Sequence, residues 1–101
     1  MNPGIAARLE SLDIRLMAET SAYALFARGD CVALARRAAD GFDSIGGSGM
    51  MTENGVAYLL WRDGEALLAV KGQAPAPAAP AQVELILRFS LDLKEALRLN
   101  E

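Results

Sequence analysis

Apolar positions recur at helical spacing near both ends of the chain and at strand spacing between them. Ile5, Leu9, Leu12 and Leu16 follow one another at offsets of four, three and four, the repeat of one helix face. Asn2 before Pro3 supplies the entry: a side-chain oxygen for the free N–H groups of the first turn, and a ring whose fixed φ suits the first helical position. With no glycine or proline to stop it sooner, the helix is expected to end between Leu12 and Glu19. At the far end, Pro80 opens a stretch whose residues 82–100 hold neither Gly nor Pro. At the helical rotation, Val83, Ile86, Leu93 and Leu97 form one stripe and Leu85, Phe89, Ala96 and Leu99 a second beside it, while Glu84, Arg88, Asp92 and Glu95 lie opposite. That apolar arc covers roughly half the circumference or more, wider than one sheet face requires.

Between these helices the sequence echoes itself: AYALFARGDCVALAR, residues 22–36, resembles AYLLWRDGEALLAVK, residues 57–71. Each copy reads as strand, turn, strand. Asp63 and Gly64 suit a two-residue turn that needs positive φ, and Gly29 and Asp30 are placed to do the same in the first copy. The alanines of the first copy favour helix on propensity, so residues 21–38 carry a second reading as two short helices, with Asp30 as N-cap and Gly41 just past the end. Asn54 and Gly55 give a third turn signal and imply a further strand over residues 49–53. Residues 39–49, ADGFDSIGGSG, read as an exposed loop held by Phe42 and Ile45. Residues 72–81, with Pro75, Pro77 and Pro80, read as an extended spacer.

Size and composition narrow the picture further. A chain of 101 residues, 52% of them hydrophobic, is one α+β domain, and it can bury about 60–68% of its unfolded surface. Histidine is absent, which removes imidazole-based triads and ordinary zinc or haem ligation. Cys31 is the only cysteine, so it is expected as a buried, reduced thiol in the cytoplasm. No wholly apolar run is longer than that of residues 56–61, far short of the ~20 residues of a membrane helix, and the start of the chain carries no basic-then-apolar signal pattern. With 13 acidic against 10 basic side chains, and Arg36–Arg37 as the one adjacent basic pair, nucleic acid is not expected as a partner. No cofactor is expected.

Few residues suggest chemistry. Residues 44–49, SIGGSG, offer Gly46, Gly47, Ser48 and Gly49 as a possible anion cradle built from backbone N–H groups. They lack a Gly-Lys-Ser/Thr ending, a G-x-G-x-x-G spacing and a following helix, so a turn-forming surface loop is the plainer reading. Nor does G-G-S-G around Ser48 match a nucleophile elbow. Asp40, Asp43 and Glu53 match no cation-loop spacing and read as solvated carboxylates. In the central strand Val56, Tyr58 and Leu60 alternate with Ala57, Leu59 and Trp61, so both faces are apolar and both want cover.

The expected fold is therefore an antiparallel sheet of about five strands, in two hairpin units, between an N-terminal and a C-terminal helix. In element order this resembles the roadblock and profilin-like group, which flanks a small sheet with helices and often dimerises; residues 39–49 stand where that group has a long helix. The mixture is also similar to that of secreted-effector chaperones, which are small, acidic and dimeric. Two helices cannot cover both faces of such a sheet, which points to a homodimer. The expected role is a non-catalytic interaction or scaffold module that binds itself and another protein through Tyr58, Leu60, Trp61, Met50, Met51, Leu85, Phe89 and Leu93. The alternative is a small-ligand sensor or enzyme using residues 44–49.

Overall fold

Seven strands, rather than about five, lie between the two helices in a computed structural model that describes residues 2–99. The α+β class stands and the strand count is corrected. In chain order the elements are α1 (Pro3–Ser11), β1 (Arg15–Glu19), β2 (Tyr23–Arg28), β3 (Cys31–Ala38), β4 (Gly41–Thr52), β5 (Gly55–Arg62), β6 (Glu65–Val70), β7 (Ala76–Pro77) and α2 (Pro80–Ala96). Each strand pairs antiparallel with the next, so the sheet is an uninterrupted meander. The likeness to roadblock domains is thus confined to helix, sheet, helix.

The first added strand appears because α1 stops early. Its entry is as expected, the Asn2 side chain accepting from the N–H groups of Gly4 at 2.7 Å and Ile5 at 3.4 Å. At its exit Asp13 takes a left-handed φ of 58°, Asp13 N–H donates to Glu10 O at 3.1 Å and Ile14 N–H to Leu9 O at 2.9 Å. Those two bonds close a Schellman motif, with buried Leu9 and Ile14 as its apolar contact. The chain then turns into β1, and Leu16 joins a strand instead of the helix. Helix α2 ends the same way, with Arg98 at φ 60°, Arg98 N–H on Glu95 O at 3.1 Å and Leu99 N–H on Lys94 O at 2.9 Å. Both exits use a residue other than glycine, so neither is marked in the sequence.

The second added length is β4, which replaces the expected loop over residues 39–49. It pairs along all of β3, with Asp43 and Gly46 as the extra residues of two bulges. Phe42 meets the buried Phe26 ring edge-on, centroids 5.5 Å apart. Glycine serves close approach here: a Cβ on Gly49 would lie 2.0 Å from the Ala57 carbonyl oxygen, and one on Gly47 would meet the Tyr58 ring at 3.4 Å. Within the expected spacer, Ala76 and Pro77 form the short edge strand β7, a place where a missing N–H costs little.

The hairpin reading of residues 21–38 holds. Gly29 alone of its turn pair has positive φ, at 58°, as a type II′ turn requires, whereas Asp63 and Gly64 both do, at 51° and 78°, as in type I′. At the β4–β5 turn the loop residues are Glu53 and Asn54, one place earlier than expected, and Gly55 pairs with Thr52.

Antiparallel partners share a face, so Ala24, Phe26, Ala33, Ala35, Ile45, Leu59 and Leu68 face the helices, where they meet Ile5, Leu9, Ile86, Phe89, Leu93, Ala96 and Leu97. Arg8 Nε donates to Ala96 O at 2.9 Å, joining the helices. Arg28 crosses the Phe89 ring and reaches Asp92 at 2.9 Å and Leu12 O at 3.2 Å, joining sheet to both. Helix α2 packs chiefly on β3 and β4. The β4–β5 ladder holds only from Gly49–Thr52 to Gly55–Tyr58, so the first half of β4 and the second half of β5 part company and the sheet forks.

Gly49→Ala should destabilise the protein by about 2 kcal/mol or more, whereas Gly46→Ala, whose Cβ meets nothing nearer than 3.7 Å, should have a much smaller effect; urea denaturation of both variants checks this. Arg98→Gly should stabilise by roughly 1 kcal/mol by relieving the left-handed strain, read in the same assay.

Candidate interaction surface

Because α2 packs chiefly on β3 and β4, with Leu59 and Leu68 reaching the same core, the turn end of the β5–β6 hairpin extends beyond the helix. Trp61 and Ala66 are cross-strand partners on its helix-side face. With Pro77, Ala78 and Pro80 they form one side of an open groove of about 690 Å³, whose other side is Val83, Leu87 and Leu91 of α2. Trp61 is 58% exposed, Leu87 42% and Leu91 64%. Such a concentration of large apolar groups makes the groove the candidate interaction surface. Glu65, Glu84 and Arg88 supply the only charges of the lining. The rest of the lining is apolar, as a surface that buries apolar side chains requires.

The residues singled out in the sequence divide between several places. Trp61 lines the groove. Tyr58 and Leu60 point to the opposite, helix-free face, Tyr58 exposed and Leu60 half-buried. Met50 is half-buried on the helix side against the core, while its neighbour Met51 is exposed on the other face, so the two do not join Trp61 in one contact. Leu85 is exposed on the far flank of α2, beside Arg28, Cys31 and Met50. Phe89 and Leu93 are fully buried in the core and therefore form no part of a surface on the folded chain. Leu87 and Leu91 were not foreseen. Their signal is the offset of four from Val83 to Leu87 to Leu91, a third stripe outside the core-facing arc.

Gly46, Gly47, Ser48 and Gly49 lie in β4 rather than in a loop. Successive N–H groups of a strand point to opposite edges, so they do not converge as a nest does. Asp40 and Glu53 occupy turns at opposite ends of β4. Asp43 instead holds Arg36 by a two-oxygen contact, Arg36 Nε to Oδ1 at 3.0 Å and Nη2 to Oδ2 at 2.9 Å. That hydrogen bonding lowers the Asp43 carboxyl below its ordinary range and raises the Arg36 guanidinium. Arg37 pairs with Glu19 and covers the Phe42 ring. Among the described residues no three His, Cys, Asp or Glu side chains gather as a metal site, and no helix is long and apolar enough to cross a membrane. Burial pushes the Cys31 thiol up; nearby Arg28 pulls it down less, and Asp30 adds to the rise.

No protein-family model, curated protein or solved structure matches the chain.

The buried, raised Cys31 thiol should react with a thiol reagent near neutral pH at least about tenfold more slowly in the folded protein than in urea; absorbance of the released chromophore checks this, and equal rates would contradict the burial.

Proposed function

We propose that the chain is a non-catalytic protein–protein interaction module that acts as a homodimer. The observation that carries this reading is the groove between α2 and the β5–β6 hairpin, where Trp61, Leu87 and Leu91 stand exposed side by side. A soluble chain gains nothing from holding such surface in water, and covering it is the ordinary driving force of association. The extent of surface agrees. The chain exposes 6367 Å² for a mass of 10.7 kDa, against about 5,500 Å² for a monomer of that size. The difference, roughly 850 Å², is close to the ~800 Å² that one partner contributes to a standard interface. We assign the module to the cytoplasm, since a lone buried thiol suits a reducing compartment.

Sedimentation velocity of the full chain from low to high micromolar concentration should show a species of twice 10.7 kDa; a single 10.7 kDa species throughout would overturn the homodimer. A thermal-shift series with phosphate, nucleotides and divalent cations should be flat. Saturable stabilisation by ~1 kcal/mol or more would favour the ligand-sensor alternative.

A further inference from the structure

We infer that the occupant of the groove is a second copy of this chain, its own α2 lying antiparallel beside the first so that each copy's Leu87 meets the other's Leu91. This rests on the homodimer reading and adds where the two copies join.

The argument begins with width. Seven strands at ~4.8 Å spacing make a sheet about 29 Å across, and a helix with its side chains covers about 10 Å. Two helices therefore leave part of the sheet uncovered: β1 at one edge, where Leu16 is exposed, and the turn end of the β5–β6 hairpin, where Trp61 and Ala66 line the groove beside α2. On its α2 side the groove is walled by Val83, Leu87 and Leu91, over the first three turns of the helix.

The Val83, Leu87 and Leu91 stripe is also suited to meeting itself. Two copies related by a two-fold axis run α2 against α2 in opposite directions, so an axis near Phe89 sets position 87 of one level with position 91 of the other, twice over. Side chains four apart on one helix form the ridges that interdigitate in such pairs. The charges of the lining are of both signs, Glu65 and Glu84 with Arg88, so each copy brings a cation to meet the other's carboxylates and a net of one negative charge. The surface in excess of a monomer's is of the size of one share of a standard interface.

The opposite sheet face is a weaker candidate. Ala27, Val32 and Leu67 lie on it and are already buried without a helix. The Tyr58 ring lies against Gly47 there, and the Arg36–Asp43 ion pair adds charge.

Trp61 is the only tryptophan of the chain, so its fluorescence reports on the groove directly. In the wild-type protein its emission should shift to the blue over the same concentration range in which sedimentation shows the mass doubling. The double variant Leu87→Glu with Leu91→Glu changes two exposed side chains; it should keep the far-UV circular dichroism of the wild type, weaken the dimer at least tenfold and leave Trp61 emission red. Tyr58→Glu, on the other face, should still dimerise. If the mass doubles while wild-type Trp61 emission stays red, or if the double variant dimerises as tightly as wild type, the interface lies elsewhere: this inference falls and the homodimer stands. The wild-type fluorescence decides even if a variant fails to fold. A monomer at every concentration overturns both and leaves the groove to a different protein.

Discussion

The seat of α2 on the sheet governs the rest of the structure. Ile86, Phe89, Leu93 and Ala96 can be fully buried because the strands beneath offer Ala24, Ala33 and Ala35, whose small side chains let the helix approach while Phe26 fills the space between. Close packing of this kind admits little lateral freedom. Once the helix is placed over β3 and β4, the flank bearing Leu87 and Leu91 must overhang β5–β7, and Trp61 must face that overhang. The exposed groove is thus a by-product of where the core is best packed.

The same alanines bear on how far the sequence could be read. Taken singly they favour helix, and only the echo of residues 57–71 and the Gly29–Asp30 pair favoured a hairpin; propensity kept two short helices open as the alternative until the β2–β3 pairing decided it. The starts of both helices were legible from Asn2–Pro3 and Pro80. Their ends were not, since Asp13 and Arg98 hold left-handed conformations that glycine usually marks. That concealed β1. β4 was hidden for the opposite reason: its glycines, a sign of loop in sequence, answer close approach by Ala57 and Tyr58, residues distant in the pattern until the strands are paired.

The candidate surface was legible in part. Alternation placed Trp61 and Tyr58 on opposite faces of one strand, as observed. Assigning Phe89 and Leu93 to a docking surface went astray because a wide apolar arc does not say which part of it meets the chain's own core. Leu87 and Leu91 escaped notice because they lie beyond the two stripes that best match a helix period. Separating these groups requires knowing where the sheet ends under the helix, and that depends on the strand count.

The forked sheet gives the molecule a mechanical character. Only four rungs of ladder join β4 to β5, and beyond them the β5–β7 arm is free of its neighbour strand. Leu59 and Leu68 still hold that arm to the core beneath the helices, so side-chain packing continues where backbone pairing stops. The sheet wall of the cleft is therefore anchored from within by apolar side chains rather than along its edge by ladder bonds.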